Sequence, residues 1–278
     1  MTIQQALAQF ALEFASLSDS PRLDAELLLC RVLQCQRSYL YAWPERVLDS
    51  TQQALLVQLA GRRSQGEPIA HILGEREFWS LPLQVNPATL IPRPETELLV
   101  EAALARIPLD AAWDIADLGT GSGAIALAIA SERPACRLHA VDQSAEAVVV
   151  AEANARRLGL HNLRFYHGHW FAPLAGQCFA MILSNPPYIR ADDPHLEQGD
   201  VRFEPRTALV AEEEGLADIR QIIAQAPAYL QAPGWLLLEH GWDQGEAVLA
   251  LLRQYGFNDC EDLPDLLGHG RVGLGRWG

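Results

Sequence analysis

The 278-residue chain has few cysteines, and none of them forms a paired motif. Cys30, Cys35, Cys136, Cys178 and Cys260 are an odd set that contains no CxxC pair. This pattern argues against a disulfide framework and against a structural zinc site. We therefore expect no metal ion, and a reducing compartment is the simplest interpretation.

Basic residues are also scarce, since 21 Lys and Arg stand against 35 Asp and Glu and the net charge is −14. An acidic surface repels a phosphate backbone, which disfavours tight nucleic-acid binding unless there is a local basic patch. No apolar run approaches the roughly 18 residues that span a bilayer, and the N-terminus lacks a basic signal-peptide start. We expect a cytoplasmic monomer without a membrane partner or a direct nucleic-acid partner.

The first 74 residues have the pattern of a small helical domain. Apolar residues recur at helical spacing, as in Ile3, Leu7 and Phe10. Ser20 before a proline predicts a helix start, and Ser50 is predicted to cap a further helix. Residues 75–91 then alternate like strands around a turn, which predicts a β-hairpin linker between two domains.

From residue 92 to residue 278 the pattern alternates strand and helix. Predicted strands at residues 113–118, 136–141, 163–167 and 179–184 are separated by helical segments such as 124–131 and 145–158. Repeated βα units imply a parallel sheet with helices on both faces. The sequence thus predicts a Rossmann-like α/β domain that follows the helical domain along the chain.

A glycine-rich loop follows the first of these strands and opens a helix. Its residues are Gly119, Thr120, Gly121, Ser122 and Gly123. Glycines at such a turn let the backbone approach a ligand closely, and the pattern suits a nicotinamide dinucleotide as well as S-adenosylmethionine.

Asp142 ends the next strand, where its carboxylate could accept hydrogen bonds from both ribose hydroxyls of an adenosine cofactor. It could equally be an acidic residue at a helix start. Trp170 could lie against the adenine or the sulfonium, or could be an ordinary core tryptophan. Glu239-His240 ends another strand, where a core or capping histidine is the better interpretation than a catalytic pair.

The motif Asn185-Pro186-Pro187-Tyr188 separates the two cofactor classes, because hydride transfer has no known use for it. An amide nitrogen is a poor nucleophile, since its lone pair is delocalised into the carbonyl. The Asn185 side-chain carbonyl and the Pro186 backbone carbonyl could each accept one of its two hydrogens. Pro187 stiffens the turn and Tyr188 offers a flat face. An adenine amine presents two hydrogens in the same way, so both acceptors remain open.

Over essentially its whole length the sequence resembles the bacterial release factor glutamine methyltransferases, which are protein-(glutamine-N5) methyltransferases. The glycine loop alone would not be specific, but several other motifs are. The resemblance rests on residues 66–71, 76–79, 90–97, 117–123, 184–189 and 201–205.

The resemblance implies a seven-stranded class I methyltransferase domain and an N-terminal domain that docks a class I peptide-chain release factor. The methyl donor would be S-adenosyl-L-methionine, and the acceptor would be the glutamine of the release factor's Gly-Gly-Gln motif. Gly119 to Gly123, Asp142, Trp170 and Asn185 would bind the cofactor. Asn185 to Tyr188 would hold the glutamine, with Asn185, Pro186 and Tyr188 catalytic.

His169 departs from the family pattern, which usually has an acid there, so a side-chain contact to the adenine amino group is in doubt. Three other functions remain open. A sister enzyme acting on a ribosomal-protein glutamine would share every contact of the site. An adenine-N6 DNA methyltransferase is opposed by the acidic charge, and a non-catalytic binding protein is opposed by the intact motifs.

Overall fold

The computed structural model describes residues 1–278 and divides into two compact units. The first, here called the helical unit, consists of Met1–Glu75 and Pro194–Phe203. The second, the sheet unit, consists of Arg76–Asp193 and Glu204–Gly278. The domain boundaries predicted from the sequence, at residues 74 and 91, do not include residues 194–203 in the helical domain.

The first segment of the helical unit forms five α-helices, as predicted for a small helical domain. They are α1 (Ile3–Glu13), α2 (Pro21–Leu33), α3 (Arg37–Ala42), α4 (Ser50–Ser64) and α5 (Ile69–Leu73). Apolar side chains from all five helices and from Phe14, just after α1, form one buried core, in which Phe14, Leu28 and Leu56 are fully enclosed. The second segment adds two short 3-10 helices, Pro194–Glu197 and Val201–Phe203.

Side chains that accept from the first-turn amides begin two of these helices. Thr2 accepts a hydrogen bond from the Gln5 amide at 3.2 Å. Asp49 accepts from the Gln52 amide at 2.8 Å. The prediction that Ser50 caps α4 was therefore wrong by one residue, because the carboxylate before it satisfies the free amide.

Arg63 on α4 joins the two segments of the helical unit. Its guanidinium is 2% exposed and lies 2.8 Å from a carboxylate oxygen of Asp24 on α2 and 2.8 Å from one of Asp200 in the second segment. It also donates to the backbone carbonyls of Leu17, Gly66 and Glu67. The planar guanidinium has five donors, so a single side chain can satisfy this whole set of acceptors.

The sheet unit contains eleven strands and six α-helices. The strands are β1 (Glu75–Phe78, whose first residue belongs to the helical unit), β2 (Leu81–Gln84), β3 (Asp114–Leu118), β4 (Arg137–Asp142), β5 (Leu163–His167), β6 (Phe179–Ser184), β7 (Ile189–Arg190), β8 (Val210–Ala211), β9 (Leu230–Glu239), β10 (Asn258–Pro264) and β11 (Gly270–Trp277). The helices are α6 (Glu97–Leu104), α7 (Ala124–Glu132), α8 (Ala145–Leu158), α9 (Glu212–Gly215), α10 (Ala217–Gln225) and α11 (Gly245–Gln254).

Seven strands form the main sheet in the order β10-β11-β9-β6-β3-β4-β5. The five strands from β9 to β5 are parallel, and β11 is antiparallel to both of its neighbours. Every residue of β6 is buried, which its continuous apolar sequence requires of a central parallel strand. The predicted Rossmann-like seven-stranded class is confirmed.

Two small sheets accompany the main one: the hairpin of β1 and β2, and the parallel pair of β7 and β8. No helix of the chain is both long enough and apolar enough to span a membrane.

Replacing Arg63 with methionine should lower the free energy of unfolding by about 3–5 kcal/mol, the usual cost of removing one partner of a buried ion pair. Methionine fills similar space but leaves Asp24 without its cation. Urea denaturation of the full chain measures the change. Arg22→Met is the control, since Arg22 is 65% exposed and its partner Glu26 keeps Arg37. Equal stability of the two variants would contradict the role of Arg63.

Candidate active site

The sheet order places a crevice at the carboxyl ends of β3 and β6. From β3 the chain continues to β4 on one side, whereas β6 leads to β9 on the other side. Connections that leave neighbouring strands in opposite directions open a crevice at the strand ends, which is where open α/β sheets bind ligands. The Ser184 hydroxyl fastens the two ends by donating to the Leu118 carbonyl at 2.7 Å.

A cavity of the sheet unit lies at this crevice. Its wall comes from the segments that follow β3, β4, β5 and β6, together with two further stretches of chain. The lining residues are Ala88, Thr89, Leu90, Gly119, Gly121, Asp142, Gln143, Ser144, Ala147, Gly168, His169, Trp170, Asn185, Pro187, Pro205, Thr207 and Ala208.

The glycine loop turns sharply from β3 into α7. Gly119, Gly121 and Gly123 have φ angles of +75°, +57° and +89°, a region that disfavours side chains. A Cβ on Gly119 would stand 3.3 Å from the Trp170 ring. Glycine there therefore allows both the turn and the close approach of the tryptophan.

Not all loop residues line the cavity. Thr120, Ser122 and Gly123 are absent from its wall. The Thr120 hydroxyl instead donates to Asp117 at 2.6 Å, and the Ser122 carbonyl accepts from the Asn154 side chain. Asp117 is fully buried, which raises the pKa of its carboxyl to about 7. These contacts fix the conformation of the loop without taking part in the cavity wall.

Asp142 lines the cavity and also fixes the loop. One of its carboxylate oxygens accepts from the Gly121 amide at 2.8 Å, and the other accepts from the Ser144 amide at 2.9 Å. Burial raises its pKa, and these amide donors oppose the rise. Each oxygen retains a free lone pair, so the carboxylate can still accept from ligand hydroxyls.

Trp170 is a core tryptophan that also reaches the cavity wall, and its contact with the adenine or the sulfonium stays a prediction. It is 7% exposed and packs in the core with Phe171 and Leu174, yet it also lines the cavity. The exposed His169 lies beside it, with the two ring centroids 5.3 Å apart. The cavity therefore has an aromatic wall next to Gly119.

Asn185 and Pro187 line the cavity, whereas Pro186 and Tyr188 do not. The Asn185 side-chain nitrogen donates to the Thr96 hydroxyl at 3.1 Å. The Tyr188 hydroxyl points inward and donates to Glu239 at 3.2 Å. Burial next to this carboxyl raises the pKa of Tyr188, so the phenol stays protonated.

Sequence reasoning did not identify Thr96 or Glu239 as parts of the site. Glu239 ends β9 and is almost fully buried, which raises the pKa of its carboxyl to about 7. The only sequence signal was its place at the end of a predicted strand, because its position beside Asn185 depends on the pairing of Ser184 of β6 with Leu238 of β9. His240 is a buried core histidine, as expected, 3.0 Å from Asp262.

Glu204, which lies within residues 201–205 of the family resemblance, is a further buried carboxylate. It accepts from the Ile91 amide at 2.9 Å and pairs with Arg93. These contacts join the stretch before Pro92 to the stretch that contains Pro205, and both stretches contribute residues to the cavity wall.

Comparison with known proteins gives consistent matches over both parts of the chain. Residues 5–74 match the family model described as the PrmC N-terminal domain, and residues 94–199 match the Methyltransferase small domain. The chain is 56% identical to the release factor glutamine methyltransferase of Vibrio cholerae, over 94% of this chain and 91% of that protein. It is 55% identical to the one from Escherichia coli, over 94% of each.

A solved methyltransferase structure from Pyrococcus furiosus superposes with a TM-score of 0.54 at 17% identity, covering 82% of this chain and 98% of that one. At this identity the likeness shows the fold alone. The two full-length relatives show more, because more than half of their residues are identical and the alignments cover nearly all of each chain. The chain belongs to the family of release factor glutamine methyltransferases.

Proposed function

We propose that the chain transfers a methyl group from S-adenosyl-L-methionine to the side-chain nitrogen N5 of the glutamine in the Gly-Gly-Gln motif of class I release factors. The observation that carries the proposal is the position of Asn185, on the wall of the same cavity as Gly119 and Asp142. The names of the curated relatives support the same substrate.

The residues around the cavity fit an adenosine cofactor. Gly119 and Gly121 leave backbone without side chains where a ligand can approach, and Asp142 has lone pairs for ribose hydroxyls. Trp170 supplies an aromatic wall. We assign cofactor binding to these residues and to Asn185, with Thr120, Ser122 and Gly123 maintaining the loop. When bound, the cofactor supplies a methyl group on a positively charged sulfur.

Asn185 and Pro186 are proposed to activate the acceptor. Their carbonyl oxygens accept the two amide hydrogens, which orients the nitrogen lone pair and stabilises the positive charge that develops during transfer. Pro187 limits the motion of this segment and carries no competing N–H. The Tyr188 hydroxyl is bound to Glu239, so its ring, packed against the core, is held in place beside the motif.

In the proposed reaction a bond forms between the glutamine nitrogen and the methyl carbon as the bond from that carbon to sulfur breaks. The nitrogen then loses one proton to solvent. Neither a metal ion nor a strong general base is needed for this step, because the positively charged sulfur would already activate the methyl group and a positively charged amide nitrogen is acidic enough to give up its proton to water.

The release factor is the proposed protein partner, docked in part by the helical unit. All five cysteines are unpaired, which fits a cytoplasmic enzyme. The net charge of −14 favours a protein substrate over a nucleic acid. We propose that the enzyme acts as a monomer.

Gly119→Ala should weaken cofactor binding by about 10-fold, a loss of about 1.4 kcal/mol, since its Cβ would stand 3.3 Å from the Trp170 ring and occupy the space in which the cofactor approaches the backbone. Titration calorimetry with S-adenosylmethionine measures the affinity. Gly159→Ala is the matched control, because Gly159 has φ +69°, ends α8 and would place its Cβ in open space. Equal affinities for the two variants would contradict the proposed approach of the cofactor to Gly119.

Asn185→Ala should still bind the cofactor, because Gly119, Asp142 and Trp170 remain, but should reduce kcat by about 100-fold or more, the usual effect of removing one preorganised electrostatic contact. Methyl transfer to a purified release factor measures kcat, and calorimetry measures the affinity. Asn258→Ala, at an exposed position of β10, is the control for a general asparagine effect. Turnover of Asn185→Ala within about threefold of the parent would remove the basis of the proposal.

A further inference from the structure

The proposed acceptor motif, residues 185–188, depends on contacts at its two ends for its conformation. Pro186 and Pro187 have no backbone N–H, so the middle of the motif cannot be fixed by hydrogen bonds that it donates itself. At the first end, Ser184 is fully buried in β6 and its hydroxyl donates to the Leu118 carbonyl at 2.7 Å. The contacts at the second end therefore decide how the motif is presented.

The second end is held at the backbone of Tyr188. The side-chain nitrogen of Gln244 donates to the Tyr188 carbonyl at 3.1 Å. The next residue, Ile189, donates its amide to the Leu209 carbonyl at 2.9 Å and takes part in the pairing of β7 with β8. Only three residues, two of them prolines, thus lie between the anchored Ser184 and the anchored Tyr188.

Gln244 connects the motif to two other segments of the sheet unit. Its side-chain nitrogen also donates to the Glu214 carbonyl at 3.2 Å, and its side-chain oxygen accepts from the Gly241 amide at 2.8 Å. Its own backbone is held as well, since its amide donates to the Gly241 carbonyl and its carbonyl accepts from the Val248 amide. The residue is 8% exposed, so water has little access to replace these contacts.

Backbone groups settle the orientation of the Gln244 amide. A backbone carbonyl only accepts and a backbone N–H only donates, so the side-chain NH2 group faces Tyr188 and Glu214 while the oxygen faces Gly241. In the reversed orientation an oxygen would face two other oxygens, and two N–H donors would face each other. Both hydrogens of the NH2 group are therefore used, one of them on the motif.

The turn that presents the Glu214 carbonyl also contacts the end of the motif. Glu213, Glu214 and Gly215 have φ angles of +52°, +59° and +86°. Such left-handed backbone is unfavourable for residues other than glycine and persists only where the surrounding structure holds it. A Cβ on Gly215 would collide with the Tyr188 carbonyl oxygen and would stand 2.7 Å from the Gln244 nitrogen. The Tyr188 carbonyl thus has little room to move.

We propose that Gln244 is a positioning residue for methyl transfer: by holding the Tyr188 carbonyl, it keeps the carbonyl oxygens of Asn185 and Pro186 directed at the acceptor nitrogen. This inference rests on the proposed function of Asn185 and Pro186. Gln244 is absent from the cavity wall and meets the motif at the Tyr188 carbonyl, so it acts through the motif.

Gln244→Met tests this role, because methionine has a similar length but no donor for the Tyr188 carbonyl. We expect kcat for release-factor methylation to fall by about 10- to 100-fold, since a small displacement of groups at the reacting centre can cost about 100-fold. The cofactor affinity should be unchanged, because the hydrogen bonds of Gln244 do not reach Gly119, Asp142 or Trp170. Methyl-transfer rates measure kcat, and titration calorimetry measures the affinity.

Gln231→Met is the matched control. The side-chain nitrogen of Gln231 likewise donates to a backbone carbonyl, that of Cys178, at 3.2 Å, but this contact is exposed. Gln231 lies at the start of β9, at the opposite end of the strand from Glu239, so its variant should keep the kcat of the parent. A Gln244→Met variant as active as the parent, or one that loses cofactor affinity as strongly as kcat, would overturn the proposal.

Gln244→Glu gives a second test within one folded protein, and it decides the question should Gln244→Met fail to fold. The introduced carboxyl can donate to the Tyr188 carbonyl only when it is protonated, whereas its ionised form offers only lone pairs to the two carbonyls. Burial raises the pKa of such a carboxyl above the usual value of about 4.3. The kcat of this variant relative to the parent should therefore be higher at about pH 6 than at about pH 8.5.

Taking this ratio at each pH removes the titration of groups that both proteins share, such as Glu239 and Asp117, whose carboxyls have a pKa of about 7. A ratio that stays constant, or that rises with pH, would overturn the proposal. An inactive parent enzyme would instead contradict the proposed function, so the two failures are distinguishable.

Discussion

The site depends on the alignment of two neighbouring parallel strands, β3 and β6, whose carboxyl ends meet at one edge of the sheet. The hydrogen bond from Ser184 to the Leu118 carbonyl joins these ends. The glycine loop follows one strand and Asn185 follows the other, so strand pairing alone brings the proposed cofactor loop and the proposed acceptor motif onto one cavity. The sheet topology therefore determines where the proposed reaction would take place, and the loops supply the groups that would take part in it.

Much of this arrangement could be predicted because it depends on local patterns. Alternating strand and helix segments fix a parallel sheet, and a parallel sheet fixes which edge holds the loops. That reasoning was sufficient to expect Gly119, Asp142 and Asn185 at one edge, and the structure places all three on the cavity wall. The short spacing between each strand and its polar residue made the prediction possible.

What local patterns could not supply depends on contacts between distant residues. Arg63 and Asp200 are 137 positions apart, and no periodicity indicates that residues 194–203 belong to the helical unit. Glu239 lies beside Asn185 because β9 pairs with β6, and the Thr96 hydroxyl, 89 positions away in the sequence, meets the Asn185 side chain only in the folded chain. The inward direction of the Thr120 and Tyr188 hydroxyls likewise follows from the buried acceptors Asp117 and Glu239, which the sequence shows only as acids near strand ends.

The most direct measurement of the proposed function is the transfer of a labelled methyl group to purified candidate substrates. A release factor, the same factor with its Gly-Gly-Gln glutamine changed, a ribosomal protein and duplex DNA would be offered under identical conditions. Label should appear only on the unchanged release factor, as one methyl group on that glutamine by mass spectrometry. Label on the changed factor, the ribosomal protein or the DNA at a comparable rate would contradict the assignment of Asn185 to a release-factor glutamine.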